Sequence, residues 1–141
     1  MLRRTAVAVL AVVAMSAAGA QESVPIKKLP FSAARKAGNT LYVSGQVPRT
    51  AEGEDVRASV EAETRQVMDN IGRVLSQNGY CFDDVVRATV FLSDIEDYHE
   101  MNKAYASYFD EAFPARACVG GVEIVFGFRV EISVIAHKDA E

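Results

Sequence analysis

Three side chains in the C-terminal third are of types that do chemistry together: Arg116 and Cys118 within FPARACVGG, and Glu131 within RVEISVIAH. Arginine carries a planar fork of donors that matches a carboxylate in two hydrogen bonds, and it stays charged at physiological pH. A glutamate a few ångströms away can orient or deprotonate a water. Arg116 and Cys118 stand two residues apart, so on a strand they share a face. If that strand pairs as a hairpin with the one carrying Glu131, guanidinium and carboxylate approach each other, and together they describe a pocket that holds and hydrolyses a small carboxylic acid. On spacing alone, the same two residues read more simply as a cross-strand ion pair.

Other chemistries find less support. C-x-x-C and H-E-x-x-H motifs are absent, and the two histidines, His99 and His137, stand alone, so no dedicated metal site is expected. His137 reads as a solvated tail residue. Cys81 and Cys118 form no framework pattern, and a domain of this size needs no staple, so free thiols are expected in spite of the exported context argued below.

Positioning these groups requires a sheet and two helices. LYVSGQV (41–47) is a short β-type run ended by Pro48, and residues 50–58 read as a polar loop. Val60, Val67, Met68, Ile71, Val74 and Leu75 recur at the one-face spacing of an amphipathic helix, with Ser59 as its cap and Gly79 at its end. VVRATVFL (85–92) reads as a largely buried strand. Ser93 and Glu96 have the spacing of a capping box for a helix that carries Tyr98, Met101, Tyr105, Tyr108 and Phe109 on one face and stops at Pro114. Asn102 shares that face, as a half-exposed flank residue or as an amide bracing a neighbouring loop. The last third reads as two strands joined by a glycine-containing turn within residues 120–127. The order predicts an α+β fold with both helices on one sheet face. The other face, aliphatic as it is, then needs a partner subunit.

The chain has 141 residues, room for one domain. MLRRTAVAVLAVVAMSAAGA has the form of an export signal, two arginines and an apolar run ending in the A-x-A spacing of a peptidase site, so cleavage after Ala20 is expected, leaving one domain over residues 21–141. Cleavage removes Arg3 and Arg4 and no acid. The 13 basic and 19 acidic residues that remain give a net charge of −6. That balance and the absence of a basic stripe speak against nucleic acid as a partner. Once the leader is gone, no membrane association is expected.

The mature chain resembles the reactive intermediate deaminase family (Rid, also called YjgF) over nearly its whole length. The matching stretches are PFSAARKAGNTLYVSGQVP (30–48), ETRQVMDNIGRVL (63–75), DDVVRATVFLSDIEDYHEMNKAYASYF (83–109), FPARACV (113–119) and VEISVIA (130–136). The resemblance implies a homotrimer with a chorismate-mutase-like fold, a mixed sheet with two helices on one face, and clefts between subunits. It implies hydrolysis of 2-imino or enamine acids such as 2-aminoacrylate and 2-iminobutanoate to 2-oxo acids and ammonia, without a cofactor. By the same resemblance, Arg116 binds the substrate carboxylate, Glu131 activates the attacking water, and Ser44, Gly45, Asn102 and the main chain at Cys118 line the pocket. Phe31 occupies a substrate-side position where the family usually has an aromatic hydroxyl, and VEIVFGF replaces the family's common Leu-Pro-x-Gly turn. The leader places the chain outside the cytoplasm, in a bacterial periplasm, so a second reading is a binding module that captures small carboxylates or amines there without turnover. Thiol-based redox or holdase work would need a low-pKa, exposed Cys118.

Overall fold

The computed structural model describes residues 29–110 and 112–139. The leader expected over residues 1–20 lies outside the described residues. The fold opens with a hairpin, β1 (Ala34–Ala37) and β2 (Thr40–Gln46), turning at Gly38, whose φ of 57° is a conformation that a residue without Cβ adopts freely. Along β2, burial alternates with period two, Leu41 and Val43 inward and Tyr42 outward.

Helix α1 (Val60–Gln77) forms where the apolar spacing places it. Ser59 Oγ accepts from Ala62 N–H at 3.1 Å, and Gly79, at φ 80°, leads the chain out. Strand β3 (Val85–Leu92) buries Ala88, Val90 and Leu92. The expected Ser93–Glu96 capping box does not form. Asp94 caps instead, accepting from Glu96 N–H at 3.0 Å, and a short 3-10 turn over Ile95–Asp97 precedes α2 (Tyr98–Ala106). An aspartate one residue later competes well for the same orphan amides. Tyr108 and Phe109 follow α2 in a turn yet still pack against the core.

Strands β4 (Ala115–Val119) and β5 (Val130–His137) complete a five-stranded sheet in the order β1-β2-β5-β3-β4. The hairpin expected between β4 and β5 is not there. β4 pairs with β3 in parallel, and β3 lies between β4 and β5. The reason is the helix between them: a strand, a crossover helix and a second strand form a parallel unit, whereas a hairpin needs only a tight turn. The connection after β4 crosses the end of β3, where Leu92 C=O accepts from Val122 N–H at 3.3 Å and Ser93 N–H donates to Arg129 C=O at 2.9 Å. It thus delivers β5 to the far side of β3.

Both helices pack on one face of the sheet. Leu41, Val43, Ala88, Val90, Leu92, Val130, Ile132, Val134 and Ala136 meet Val67, Met68, Ile71, Leu75 and Met101 in a single core. The opposite face carries Tyr42, Thr89, Phe91, Val119, Ser133 and Ile135, of which Tyr42 and Val119 are exposed and the rest half-buried. That uncovered face matches the expectation of helices on one side only.

Candidate active site

Register decides where each candidate points. On β4, Arg116 lies opposite Ala88 and Cys118 opposite Val90, and both of those β3 residues are fully buried beneath the helices. Arg116 and Cys118 therefore project to the helix side, at the edge of the sheet. The guanidinium stacks 4.8 Å from the Tyr105 ring centre and 5.6 Å from that of Tyr98, and donates to Tyr98 Oη at 3.3 Å. Aromatic faces attract a cation without neutralising it. Arg116 forms no ion pair with any described carboxylate.

Beside it opens a pocket of about 280 Å³ lined by Asn102, Tyr105, Ala106, Phe113, Pro114 and Arg116. Two polar atoms of this wall, Asn102 Oδ1 and Tyr105 Oη, are buried without a hydrogen-bond partner among the described residues. Buried polar atoms are nearly always satisfied, and those that are not cluster where a ligand or water completes them. Burial pushes the Tyr105 hydroxyl up to about 12 in spite of the pull of Arg116, so it stays protonated and can donate. Burial also raises the Cys118 thiol, with Arg116 pulling weakly the other way. A raised thiol is a poor nucleophile, which removes the support for thiol-based chemistry. Cys81 and Cys118 are both free, as expected.

Glu131 lies elsewhere. It stands opposite Phe91 on β3, on the uncovered face. Its neighbour is the Ser44-Gly45 pair, at an irregularity in the β2–β5 ladder between Val43 and Gln46. A Cβ placed on Gly45 would overlap Glu131 Oε1, so glycine is required for the carboxylate to lie there. Ser44 Oγ donates to Ser32 C=O at 2.6 Å, and Ser44 N–H donates to Ala33 C=O at 3.0 Å, tying the segment that carries the exposed Phe31 to β2. Burial alone raises the Glu131 pKa, and no described side chain pairs with it. A carboxylate held partly desolvated and uncompensated is more basic than usual, as a water-activating group should be.

The candidates thus fall into two groups. Arg116 and Asn102 line the edge pocket, with Cys118 on the same face of β4 but outside the lining, while Ser44, Gly45 and Glu131 lie together away from it, with the Phe31 segment tied to Ser44. Within one chain Arg116 and Glu131 do not meet. Their levels on β3, Ala88 and Phe91, are three residues apart, and two strand spacings separate β4 from β5; that puts them roughly 10 Å apart along the sheet and about 10 Å across it, on opposite faces. The ion-pair reading falls with the same register.

Sequence reasoning missed Tyr105 and Tyr98 as site residues because an aromatic stripe at helical spacing reads as core; the signal was the unpaired arginine that needed a face to stack on. The bracing amide also lies elsewhere. Asn70 on α1, not Asn102, holds the loop after β2, donating to Val47 C=O at 3.0 Å and to Arg49 C=O at 2.9 Å. His137 ends β5, with Nδ1 2.9 Å from Thr40 Oγ1.

The fold, two helices on a mixed five-stranded sheet, has known counterparts. Residues 22–138 match the family described as endoribonuclease L-PSP. A RutC family protein of Pyrococcus horikoshii is 40% identical over 119 residues, 84% of this chain and 94% of its own length. The bovine 2-iminobutanoate/2-iminopropanoate deaminase is 42% identical over 108 residues, 76% of this chain and 79% of its own. The crystal structure of the YjgF gene product of E. coli superposes with a TM-score of 0.74 at 32% identity, covering 78% of this chain and 89% of that one. The chain belongs to the YjgF/Rid family.

Proposed function

We propose that this protein hydrolyses 2-imino and enamine acids to 2-oxo acids and ammonia, in clefts formed between the subunits of a homotrimer. The observation that carries this reading is Arg116: a guanidinium without a carboxylate partner among the described residues, held on aromatic faces beside a pocket whose wall has two polar atoms unsatisfied by them. A charge held this way is reserved for an incoming acid group. The name of the bovine relative, at 42% identity, supports the reaction class. Because Glu131 faces away from Arg116 in its own chain, the carboxylate that works on a substrate bound at Arg116 comes from a neighbouring copy. The uncovered sheet face, with Tyr42, Phe91, Val119 and Ile135, is the surface that such a copy covers.

In the proposed reaction the substrate carboxylate docks on the guanidinium, which places C2 of the imine near the neighbour's Glu131. Glu131 takes a proton from water as the oxygen attacks C2 and passes it to the imine nitrogen, giving the carbinolamine; it then takes the carbinolamine O–H proton and delivers it to the nitrogen as the C–N bond breaks, so the 2-oxo acid and ammonia leave and Glu131 is again ionised. Mixing tests both the chemistry and the sharing. Refolded together, Arg116→Ala and Glu131→Gln each supply the group the other lacks, so roughly a quarter of the sites regain both and activity on a dehydratase-generated 2-imino acid returns in proportion. Absence of recovery from two separately inactive variants refutes the shared cleft, and absence of wild-type turnover refutes the reaction.

The separation of Arg116 and Glu131 also supports a second reading: a binding module that keeps the carboxylate pocket without turnover. Calorimetric binding of small carboxylates that is lost in Arg116→Ala, with no hydrolysis of any bound compound, decides for it. On the leader in residues 1–20, the protein's place is the periplasm; cell fractionation with intact mass of the exported form, starting at Gln21, tests that.

A further inference from the structure

The loop entering β5 is bound far more tightly than its exposure suggests. Phe126 has φ 59° and ψ 13°, a left-handed conformation that a residue with a Cβ rarely adopts, and its side chain is 65% exposed. Arg57 donates to Phe126 C=O at 2.8 Å and to Gly127 C=O at 3.2 Å, and its guanidinium lies 4.3 Å from the Phe128 ring centre. Arg49 stacks 4.5 Å from the Phe126 ring. One carboxylate joins the two arginines: Asp55 accepts from Arg49 Nε at 2.7 Å and from Arg57 at 2.9 Å. The next residues are fixed in turn. Phe128 is 1% exposed, Arg129 N–H donates to the buried Glu63 carboxylate at 2.8 Å, and Arg129 C=O accepts from Ser93. Val130 and then Glu131 follow.

Ion pairs as exposed as these add little to stability. A strained residue persists only where its surroundings over-determine it, and such residues concentrate at functional sites. The next group along the chain with a proposed task is Glu131, five residues on from Phe126 and already in close contact with Gly45. We propose that Arg57, oriented by Asp55, is a positioning residue for Glu131: by pinning the carbonyls of Phe126 and Gly127 it sets where β5 begins and hence where the Glu131 carboxylate lies. This role rests on Glu131 being the water-activating group, as proposed above. A base displaced by about 1 Å can lose on the order of a hundredfold in rate, so a clamp remote from the pocket can act on turnover while leaving the Arg116 half intact.

The test compares Arg57→Gln, Arg57→Lys and Asp55→Asn with Arg65→Gln, a control that breaks the Arg65–Glu61 pair on α1. Arg57→Gln is expected to lower kcat by about tenfold or more with KM within about twofold, Asp55→Asn to fall between it and wild type, and Arg57→Lys to recover part of the loss. The melting temperature should move no more than in the control. The side-chain carboxyl resonance of Glu131 in isotope-labelled protein reads the same displacement without turnover, and should shift in Arg57→Gln but not in the control. An unmoved resonance with wild-type kcat overturns the clamp, as does a parallel collapse of kcat, KM and melting temperature. If wild-type protein shows no imine hydrolysis, the reaction proposed above fails by itself, and the resonance alone upholds or overturns the clamp.

Discussion

The two halves of the candidate site are built on opposite principles. Around Arg116 the protein leaves things unfinished: a cation on aromatic faces, an amide oxygen and a hydroxyl without partners, and open volume beside them. Around Glu131 the fit is close on one side, for the carboxylate lies so near Gly45 that a single methyl group would collide with it. The first arrangement suits a group that waits for a charge to arrive from outside. The second suits a group that must already be in place and partly desolvated when the reaction begins. Their placement on opposite faces of one sheet keeps them apart within one chain, which is why the proposed reaction takes the two groups from different copies.

This contrast predicts different kinetic signatures. Glu131→Gln keeps the shape and removes the base, so kcat should fall on the order of a thousandfold with KM little changed. Arg116→Ala removes the anchor, so the loss, roughly a hundredfold in kcat/KM, should appear mainly in KM. Steady-state kinetics on a series of 2-imino acids separates the two; equal losses of kcat and KM in both variants would erase the distinction between a poised and a waiting half.

Much of the fold was legible because hydrophobic period and caps act locally. Ser59 caps α1 as its position predicts, and β3 alternates as expected from Arg87 onward, whereas a register shift between Val85 and Arg87 buries Val85 and exposes Val86 against the expected alternation. Pairing was less legible because it depends on what lies between strands. ARACV and VEISVIA look like hairpin arms when taken by themselves; the strand-helix-strand order around α2, which places β4 beside β3, was present in the same sequence. The error reached the site directly, because Arg116 and Glu131 were expected together on the strength of that hairpin. Asn102 and Asn70 show the same limit from another side. Both are asparagines on helices, and only the fold reveals that the one on α1 braces a loop while the one on α2 is left unsatisfied.

A smaller effect probes the close packing of the second half. Gly45→Ala puts a methyl group into Glu131 Oε1, so either the carboxylate moves or the β2–β5 ladder opens. The atom in the way is the far end of a flexible side chain, so the carboxylate gives way at little cost in melting temperature, and the change is visible chiefly as a kcat loss in the direction of Glu131→Gln. The equivalent change at the edge pocket, Ala106→Val, meets open volume and should leave stability nearly unchanged. Equal kcat losses in the two variants would show that the halves are packed alike.

The smallest expected effect concerns pH. Burial raises the Glu131 pKa above that of the unfolded chain, so between the two values the folded state holds a proton that the unfolded state has released. Stability from this group is therefore full at acid pH and is lost as pH rises through the folded pKa, above which the ionised carboxylate is a standing cost. Glu131→Gln removes that cost, so at neutral pH the variant should melt slightly above wild type, and the gap should close as the pH falls below the ordinary glutamate range and wild-type Glu131 takes up its proton. Glu63 is raised for the same reason but is identical in both proteins, so its contribution cancels in the difference. Arg116→Ala should show no such pH-dependent gap, since its guanidinium stays charged throughout. Thermal melts of the three proteins from acid to neutral pH measure this directly, and a Glu131→Gln protein less stable than wild type at neutral pH would mean that the carboxylate is compensated by a contact rather than held ready for water.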